Sequence, residues 1–167
     1  AEEAVGAVER ARKAGFDNIS IDLIYGLPTA TLEDWRENVR RAVALGVEHI
    51  SAYHLTIEEN TIFGKKGVTT APEELSDEEY SVLCEELRKA GYQHYEISNF
   101  ALPGYEARHN SAYWRHVPYI GLGPGAHSCM VSGTASDHED GVSRQWNDSD
   151  LNAYLEAAGK GDFASVR

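Results

Sequence analysis

The sequence predicts an α/β fold in which parallel strands are joined by helices. Strand-like apolar runs at residues 19–25 and 47–57 alternate with helical patterns. A strand–helix–strand order connects parallel strands through a right-handed crossover. Two such strands are too few for a complete sheet. Because the only methionine is Met130, no initiator is present, and we expect the missing strands upstream in a longer protein.

The first elements follow from spacing and stop signals. Residues 2–14 favour a helix because apolar side chains recur on one stripe, and Gly15 supplies the stop. The run ISIDLIY at residues 19–25 is rich in β-branched residues, and the following GLP ends the strand. Thr31 is the expected N-cap of the next helix, and Gly46 closes it.

The middle of the chain predicts a loop, a third helix and a strand. Residues 58–75 are polar and are expected to form a long loop. Ser76 and Glu79 match a capping box for the helix that Gly91 ends. Residues 92–97 (YQHYEI) are typical of a strand that extends the sheet.

The last third predicts shorter elements. HNSAYW at residues 109–114 is expected to lie in a loop, and a strand is expected at residues 119–122. Residues 132–142 are small and polar, which favours a flexible loop. Asp148 or Ser149 is the expected cap of a final short helix.

Charge and cysteine usage restrict the class of protein. The formal net charge is −12, and such a field repels phosphate backbones and anionic lipid, which excludes a general nucleic-acid partner. No apolar run reaches the length of a membrane span. Cys84 and Cys129 form no CxxC pair and no disulfide framework, which predicts a reducing, cytoplasmic compartment.

Asp22 is the first candidate site residue because it interrupts an apolar strand. Strand alternation places it on the face that carries Ser20 and Ile24. A carboxylate in such a strand needs hydrogen-bond partners. Two interpretations remain open: a structural anchor for backbone amides, or a ligand contact at the open end of a parallel sheet, where α/β proteins place their sites.

Two familiar motifs are rejected. GLGPGA at residues 121–126 fits a dinucleotide-binding fingerprint, but no helical pattern follows to hold a pyrophosphate. Its glycines instead predict a bend or the close approach of another backbone. The histidines at positions 109, 116, 127 and 138 lack the tight spacing of a zinc site, so zinc is not expected.

HNSAYW has two interpretations. A histidine can ligate haem iron, and Tyr and Trp offer broad faces to a planar macrocycle. Asn110 could fix a turn or a ligand carboxylate. The alternative is purely structural: Trp114 is buried and His109 caps backbone groups. Residue types alone favour the structural alternative, because aromatic loops usually pack.

Five stretches, in order, resemble a known family. They are IDLIYGLP (21–28), HISAYHLTIEENTIF (49–63), YEISNFALPG (95–104), HNSAYW (109–114) and YIGLGPGAHS (119–128). Together they resemble the radical-SAM family of oxygen-independent coproporphyrinogen III oxidase-like proteins. The HNxxYW form is similar to the family's haem-chaperone branch.

The resemblance implies the C-terminal part of a partial (β/α)6 barrel widened by additional strands. Residues 1–131 would be this barrel part, and residues 132–167 a loop and short helix leading into a C-terminal region. Members of the family bind S-adenosylmethionine at the C-terminal ends of the strands. Asp22 corresponds to a cofactor-contacting aspartate, and Thr56 to a neighbouring contact made through backbone.

The resemblance also implies haem binding. His109 corresponds to the histidine proposed to hold haem, with Asn110, Tyr113 and Trp114 as its motif partners. The family's CxxxCxxC triad, which holds a [4Fe–4S] cluster, is absent from this sequence. Cluster binding is therefore expected only of the full-length parent, and this piece should be inactive in radical chemistry.

We therefore predict a piece of a radical-SAM haem chaperone that hands haem to an acceptor protein. The alternative is an oxygen-independent coproporphyrinogen III oxidase, which decarboxylates its substrate with SAM-derived radicals. An additional cysteine just after the upstream triad would indicate the oxidase.

Overall fold

The structure, a computed structural model, describes residues 2–131 and 141–161. The chain forms two units, residues 1–107 and residues 108–167, and each is described by itself. Unit 1 contains α1 (Glu2–Lys13), β1 (Ser20–Tyr25), α2 (Leu32–Ala44), β2 (His49–His54), α3 (Ile62–Lys65), α4 (Glu73–Lys89), β3 (Gln93–Glu96) and β4 (Asn99–Ala101). Unit 2 contains α5 (Arg108–Trp114), β5 (His127–Val131), β6 (Val142–Trp146) and α6 (Leu151–Lys160).

Unit 1 is built on a four-stranded sheet with the strand order β1-β2-β4-β3. β1 and β2 are parallel and stay in register from Ser20 opposite His49 to Tyr25 opposite His54. β4 pairs antiparallel with β2 and with β3. Because α2 connects the two parallel strands, the predicted α/β fold class is confirmed.

The core of unit 1 lies between the sheet and its helices. Trp35 and Val39 of α2, Leu83 and Leu87 of α4, and Ile50 of β2 are all buried in it. Fully burying one leucine side chain stabilises a protein by roughly 1.5–3 kcal/mol, so Leu83 and Leu87 anchor α4 on the sheet. The indole of Trp35 also donates to the backbone oxygen of Glu79 at 2.8 Å, which ties α2 to α4.

Two helix starts were predicted, and one prediction is wrong. Thr31 caps α2: its hydroxyl accepts from the amide of Asp34, whose carboxylate accepts in return from the amide of Thr31. The capping box at Ser76 and Glu79 does not exist, because α4 begins at Glu73 directly after Pro72. Both side chains are instead buried: the Ser76 hydroxyl lies 3.0 Å from Nε2 of His54, and the Glu79 carboxylate accepts from the amide of Gly26.

The segments around α4 contain more structure than predicted. The expected loop at residues 58–75 includes α3 and the first turn of α4. The expected strand at residues 92–97 is β3, but it is one half of a hairpin whose other half, β4, was not predicted. β4 is only three residues long, which is too short for an alternation pattern to be visible.

Unit 2 departs most from the sequence predictions. HNSAYW is not a loop but most of α5. The expected strand at residues 119–122 is reduced to a single bridge between Tyr119 and Cys129, and Gly121 interrupts it. The hairpin β5–β6 was not predicted.

The end of the described chain also differs in detail. The cap of α6 is Asp150, whose carboxylate accepts from the amide of Ala153 at 2.9 Å, and not Asp148 or Ser149. The predicted flexible loop at residues 132–142 falls mostly on residues 132–140, which lie outside the described residues. None of the helices in the described part of the chain combines the length and apolar character that a membrane span requires.

Candidate functional site

One face of the unit 1 sheet is polar. Along β1, Ile21, Leu23 and Tyr25 pack against the helical core, while Ser20 and Asp22 project from the opposite face. The register continues this second face onto the neighbouring strands: Ser20 pairs with His49, Asp22 with Ser51, and Ser51 with Asn99. The sheet therefore presents a row of hydrogen-bonding side chains away from the helices.

A hydrogen-bonded chain crosses this polar face. The hydroxyl of Ser20 lies 2.8 Å from Nδ1 of His49, and Nε2 of His49 lies 2.8 Å from the hydroxyl of Tyr95. The Tyr95 hydroxyl also accepts from the amide of Ala107 at 3.3 Å. The imidazole of His49 on β2 thus links β1 to β3, and the Tyr95 hydroxyl extends the link to Ala107.

Burial lowers the pKa of His49, because the charged imidazolium would lose its hydration. The carboxylates of Asp22 and Glu96 act in the opposite direction and raise the pKa of His49, without cancelling the effect of burial. His49 and Tyr95 were not among the site residues predicted from the sequence. The available signal was that His49 shares the alternating face of Asp22 once the parallel register is known.

Asp22 and Thr56, the two predicted S-adenosylmethionine contacts, are both exposed but are not neighbours. Asp22 lies opposite Ser51 in mid-strand, and Thr56 follows five residues later, beyond the end of β2. An extended chain of that length spans about 16 Å. A ligand that contacts both would have to lie along the strands rather than at one point.

A buried carboxylate supports the turn after β1. Glu79 is 1% exposed, and its side chain accepts from the amide of Gly26 at 2.7 Å. Gly26 has a φ of 77°, and a Cβ there would lie 2.6 Å from Nε2 of His54. Only glycine meets both constraints, so this turn is fixed by sequence at the end of β1.

α5 of unit 2 presents the predicted haem residues. His109 and Tyr113 are one turn apart: the tyrosine hydroxyl lies 2.9 Å from Nε2 of His109, and their rings meet edge to face at 4.9 Å. His109 is exposed, and Tyr113 and Trp114 are 39% and 56% exposed. The structural alternative of a buried Trp114 is therefore not what the structure shows.

The end of α5 has a definite geometry. The amide of Val117 donates to the oxygen of Ala112 at 3.0 Å, and the amide of His116 donates to the oxygen of Tyr113 at 3.2 Å. His116 has a φ of 52°, in the left-handed region. This pair of bonds around a left-handed residue is a Schellman motif, which ends the helix immediately after Trp114.

Asn110 carries an unsatisfied donor. Its side-chain nitrogen is enclosed by protein and has no hydrogen-bond partner among the described residues. A buried unpaired donor costs about 1–3 kcal/mol, so such a group usually has a reason to be retained. An oxygen acceptor that reached Asn110 would recover this cost.

The glycines of GLGPGA behave as predicted. A Cβ at Gly121 would lie 2.1 Å from the backbone oxygen of His127, so the two backbones approach closely. Gly123 and Gly125 have positive φ values of 109° and 66°. A strand, β5, follows this loop instead of a helix, which excludes the dinucleotide-binding geometry.

No iron–sulfur ligand set was found in the described part of the chain. Cys84 is half-buried on α4 of unit 1, and Cys129 is buried on β5 of unit 2. Within residues 2–131 and 141–161, no three His, Cys, Asp or Glu side chains are grouped to hold a metal ion. These residues do not fit a [4Fe–4S] cluster, which needs three or four ligands close together.

Curated proteins similar in sequence are named as haem chaperones. The chain is 43% identical over 124 residues to the heme chaperone HemW of Lactococcus lactis, covering 72% of this chain. It is 40% identical over 126 residues to HemW of Escherichia coli and 36% identical over 157 residues to HemW of Mycobacterium tuberculosis, covering 75% and 92% of this chain. This chain is a sequence relative of the HemW haem chaperones. The predicted resemblance is thereby confirmed.

The match concerns only part of each HemW protein. The three alignments cover 33%, 33% and 38% of the relatives' own lengths, so the chain spans about a third of HemW. No protein-family model matches the sequence.

A solved structure confirms the fold. The chain superposes on coproporphyrinogen III oxidase HemN of Escherichia coli, described as a radical SAM enzyme, with a TM-score of 0.67 at 19% identity. The superposition covers 96% of this chain and 38% of HemN. The fold is therefore part of a radical-SAM fold, as the sequence predicted, and the HemN likeness concerns the fold alone.

Proposed function

We propose that this chain is the haem-holding part of a radical-SAM haem chaperone, and that the parent protein binds haem and passes it to an acceptor protein. The observation that carries the proposal is the exposure of His109 on α5 next to two exposed aromatic side chains. The relatives named HemW support it. The likeness to the oxidase HemN is a likeness of fold at 19% identity and does not by itself support the oxidase alternative.

His109 is the proposed iron ligand. An imidazole binds haem iron through a ring nitrogen, and its ring must be able to reach the metal from outside the protein core. His109 is exposed on a short helix that ends sharply at Trp114, so its ring stands at the protein surface. Tyr113 and Trp114 provide apolar faces on which a porphyrin can lie.

Asn110 is the proposed contact for a porphyrin carboxylate. Its unpaired amide nitrogen is a donor without an acceptor. Haem carries carboxylates, and a hydrogen bond to a charged acceptor is stronger than one to a neutral acceptor. Because this nitrogen is enclosed by protein, the contact requires the side chain of Asn110 to turn outward when haem binds.

Asp22 and Thr56 are the proposed contacts for S-adenosylmethionine in the parent. Asp22 offers a carboxylate on the polar face, where hydroxyl and amino groups of a ligand find an acceptor. Thr56 lies two residues beyond the end of β2 and would contact the other part of the ligand through its backbone. We assign the [4Fe–4S] cluster to the longer parent, because the two cysteines here do not fit it.

Transfer to an acceptor requires that bound haem remain accessible. A haem held by one histidine at a surface helix leaves its opposite face open. An acceptor protein can then supply a second ligand before His109 releases the iron. We propose this accessibility as the physical basis of delivery.

Titration of ferric haem into this chain tests the proposal. We expect a Soret band shift in the wild-type chain, and a His109→Ala variant should bind at least tenfold more weakly. His127→Ala, which removes an exposed imidazole of the same unit, is the matched control and should bind as the wild type does. Equal affinity and equal spectra for His109→Ala and the wild type would refute the assignment of His109.

A further inference from the structure

The nitrogen of His109 that is best placed to bind iron is already engaged. Nε2 of His109 lies 2.9 Å from the Tyr113 hydroxyl. The phenol ring is held in place from a second direction, because Tyr119 meets it edge to face at 4.9 Å and 89°. The contact is therefore supported by two ring packings as well as by the hydrogen bond.

This contact blocks Nε2 in either tautomer. If Nε2 is unprotonated, the tyrosine hydroxyl donates to the lone pair that iron needs. If Nε2 is protonated, that proton is donated to the phenol oxygen and no lone pair remains there. The other nitrogen, Nδ1, stands next to the side-chain stem, closer to the helix backbone, and is less accessible to a bulky macrocycle.

We propose, resting on the haem function above, that Tyr113 is an internal competitor for the iron ligand. The hydroxyl caps His109 in the haem-free state, and binding requires that the phenol turn away. At 39% exposure the ring has solvent on one side, so it can move without opening a core. Only uncapped molecules can bind haem, so the apparent affinity is the intrinsic affinity multiplied by the fraction of molecules that are uncapped.

The competition suits a protein that must release its ligand. The same hydrogen bond that opposes binding stabilises the protein once haem has left. A carrier with an unopposed histidine would hold haem more tightly and transfer it less readily. Tyr113 thus sets the affinity of the site, whereas the exposed indole of Trp114 contributes contact area.

Tyr113→Phe separates these roles because it retains the ring and removes the hydroxyl. A hydrogen bond of ordinary net strength corresponds to a change of about two- to tenfold in affinity. We expect Tyr113→Phe to bind ferric haem tighter than the wild type by that factor. Tyr105→Phe, at an exposed tyrosine of unit 1, is the matched control and should leave the affinity unchanged. A merely structural role for Tyr113 would not produce a gain of affinity.

A second measurement needs no haem. Acylation of His109 by diethyl pyrocarbonate, followed by mass spectrometry, reports access to the imidazole nitrogens, and we expect it to be faster in Tyr113→Phe. Haem affinity in Tyr113→Phe that is equal to or weaker than in the wild type, while His109→Ala still binds at least tenfold more weakly, would overturn the competitor role alone. Haem binding that does not depend on His109 would overturn the proposed function, and the acylation rates would still report whether the cap exists.

Discussion

At the scale of single residues, His49 is the group that connects the polar face of the sheet. It contacts Ser20 and Tyr95 directly and is influenced by the charges of Asp22 and Glu96. Burial lowers the pKa of His49, which favours the neutral imidazole in this series of hydrogen bonds. Protonating His49 therefore tests whether the hydrogen bonds from Ser20 through His49 to Tyr95 stabilise unit 1.

We predict that the free energy of unfolding falls on acidification because of His49. Burial lowers the pKa of His49 in the folded state below the ordinary value of about 6.5. The unfolded chain then binds more protons than the folded chain once the pH falls below that value. The stabilisation is complete above about pH 6.5 and is lost as the pH falls through the lower folded-state pKa.

Urea unfolding at a series of pH values measures this dependence. In a His49→Gln variant, the free energy of unfolding should depend less steeply on pH, because the contribution of this imidazole is lost. Tyr95→Phe removes one hydrogen-bond partner but leaves the imidazole. Its free energy of unfolding should therefore still fall on acidification because of His49. An unchanged slope in His49→Gln would show that His49 does not titrate in the folded protein as proposed.

The site residues show what a sequence can and cannot give at this scale. Asp22 and the HNSAYW residues were candidates from their residue types, but those types left a structural role equally or more favoured, and the family resemblance decided for a site. Thr56 was selected through the resemblance alone. The bond between Tyr113 and His109 follows from a helical spacing of four residues, which was hidden because the segment was expected to be a loop. Glu79 was misinterpreted as a helix cap, because its partner, Gly26, is distant in sequence.

At the scale of elements, α5 is the least expected structure. His, Asn, Ser, Tyr and Trp all have modest helix propensity, so HNSAYW carries no strong local helix signal. The helix is instead supported by the contact between His109 and Tyr113 and by the Schellman motif at its end. By contrast, α1, α2, β1 and β2 have clear periodicity and boundary signals, and each forms within a few residues of its prediction.

We predict that His116→Gly stabilises α5. A non-glycine residue in the left-handed region costs about 1 kcal/mol relative to glycine. The amide of Val117 closes the Schellman motif, so it reports the stability of this helix end. If the hydrogen bonds are unchanged, the substitution should raise the protection of that amide against hydrogen exchange about fivefold. His116→Val, a β-branched residue at the same φ, should lower the protection. Equal exchange in the glycine and valine variants would contradict the strain at His116.

At the scale of the whole molecule, the two units differ in how much core they contain. Unit 1 buries a continuous set of side chains from three helices and the sheet. Among the described residues of unit 2, Cys129 is the only buried hydrophobic side chain, and Ile120 and Leu122 are 73% and 86% exposed. Hydrophobic burial is the main stabilising term in folding, so the units should not be equally stable.

We predict that unit 1 resists opening more than unit 2 does. Native-state hydrogen exchange measures this, because each amide reports the free energy of the opening that exposes it. Amides of the central strand β2 should exchange at least tenfold more slowly than those of the hairpin β5–β6. Equal protection of the amides in β2 and in β5–β6 would indicate that the two units open together in one cooperative transition.

The fold class and the family were within reach of the sequence, because parallel strands and ordered motifs leave local signals. The strand pairs β3–β4 and β5–β6 were not, because strands of three to five residues are too short for a readable alternation. The polar face of the sheet required the pairing register, which places His49 and Asp22 together. Local patterns do not contain that information.

The central claim is that His109 binds haem iron. Electron–nuclear double resonance on ferric haem bound to this chain, labelled with ¹⁵N-histidine, detects the ligating nitrogen directly. We predict a ¹⁵N coupling to the iron in the wild type and in His127→Gln, and its loss in His109→Ala. A coupling that persists in His109→Ala, or a haem complex of the wild type without any histidine coupling, would contradict the account.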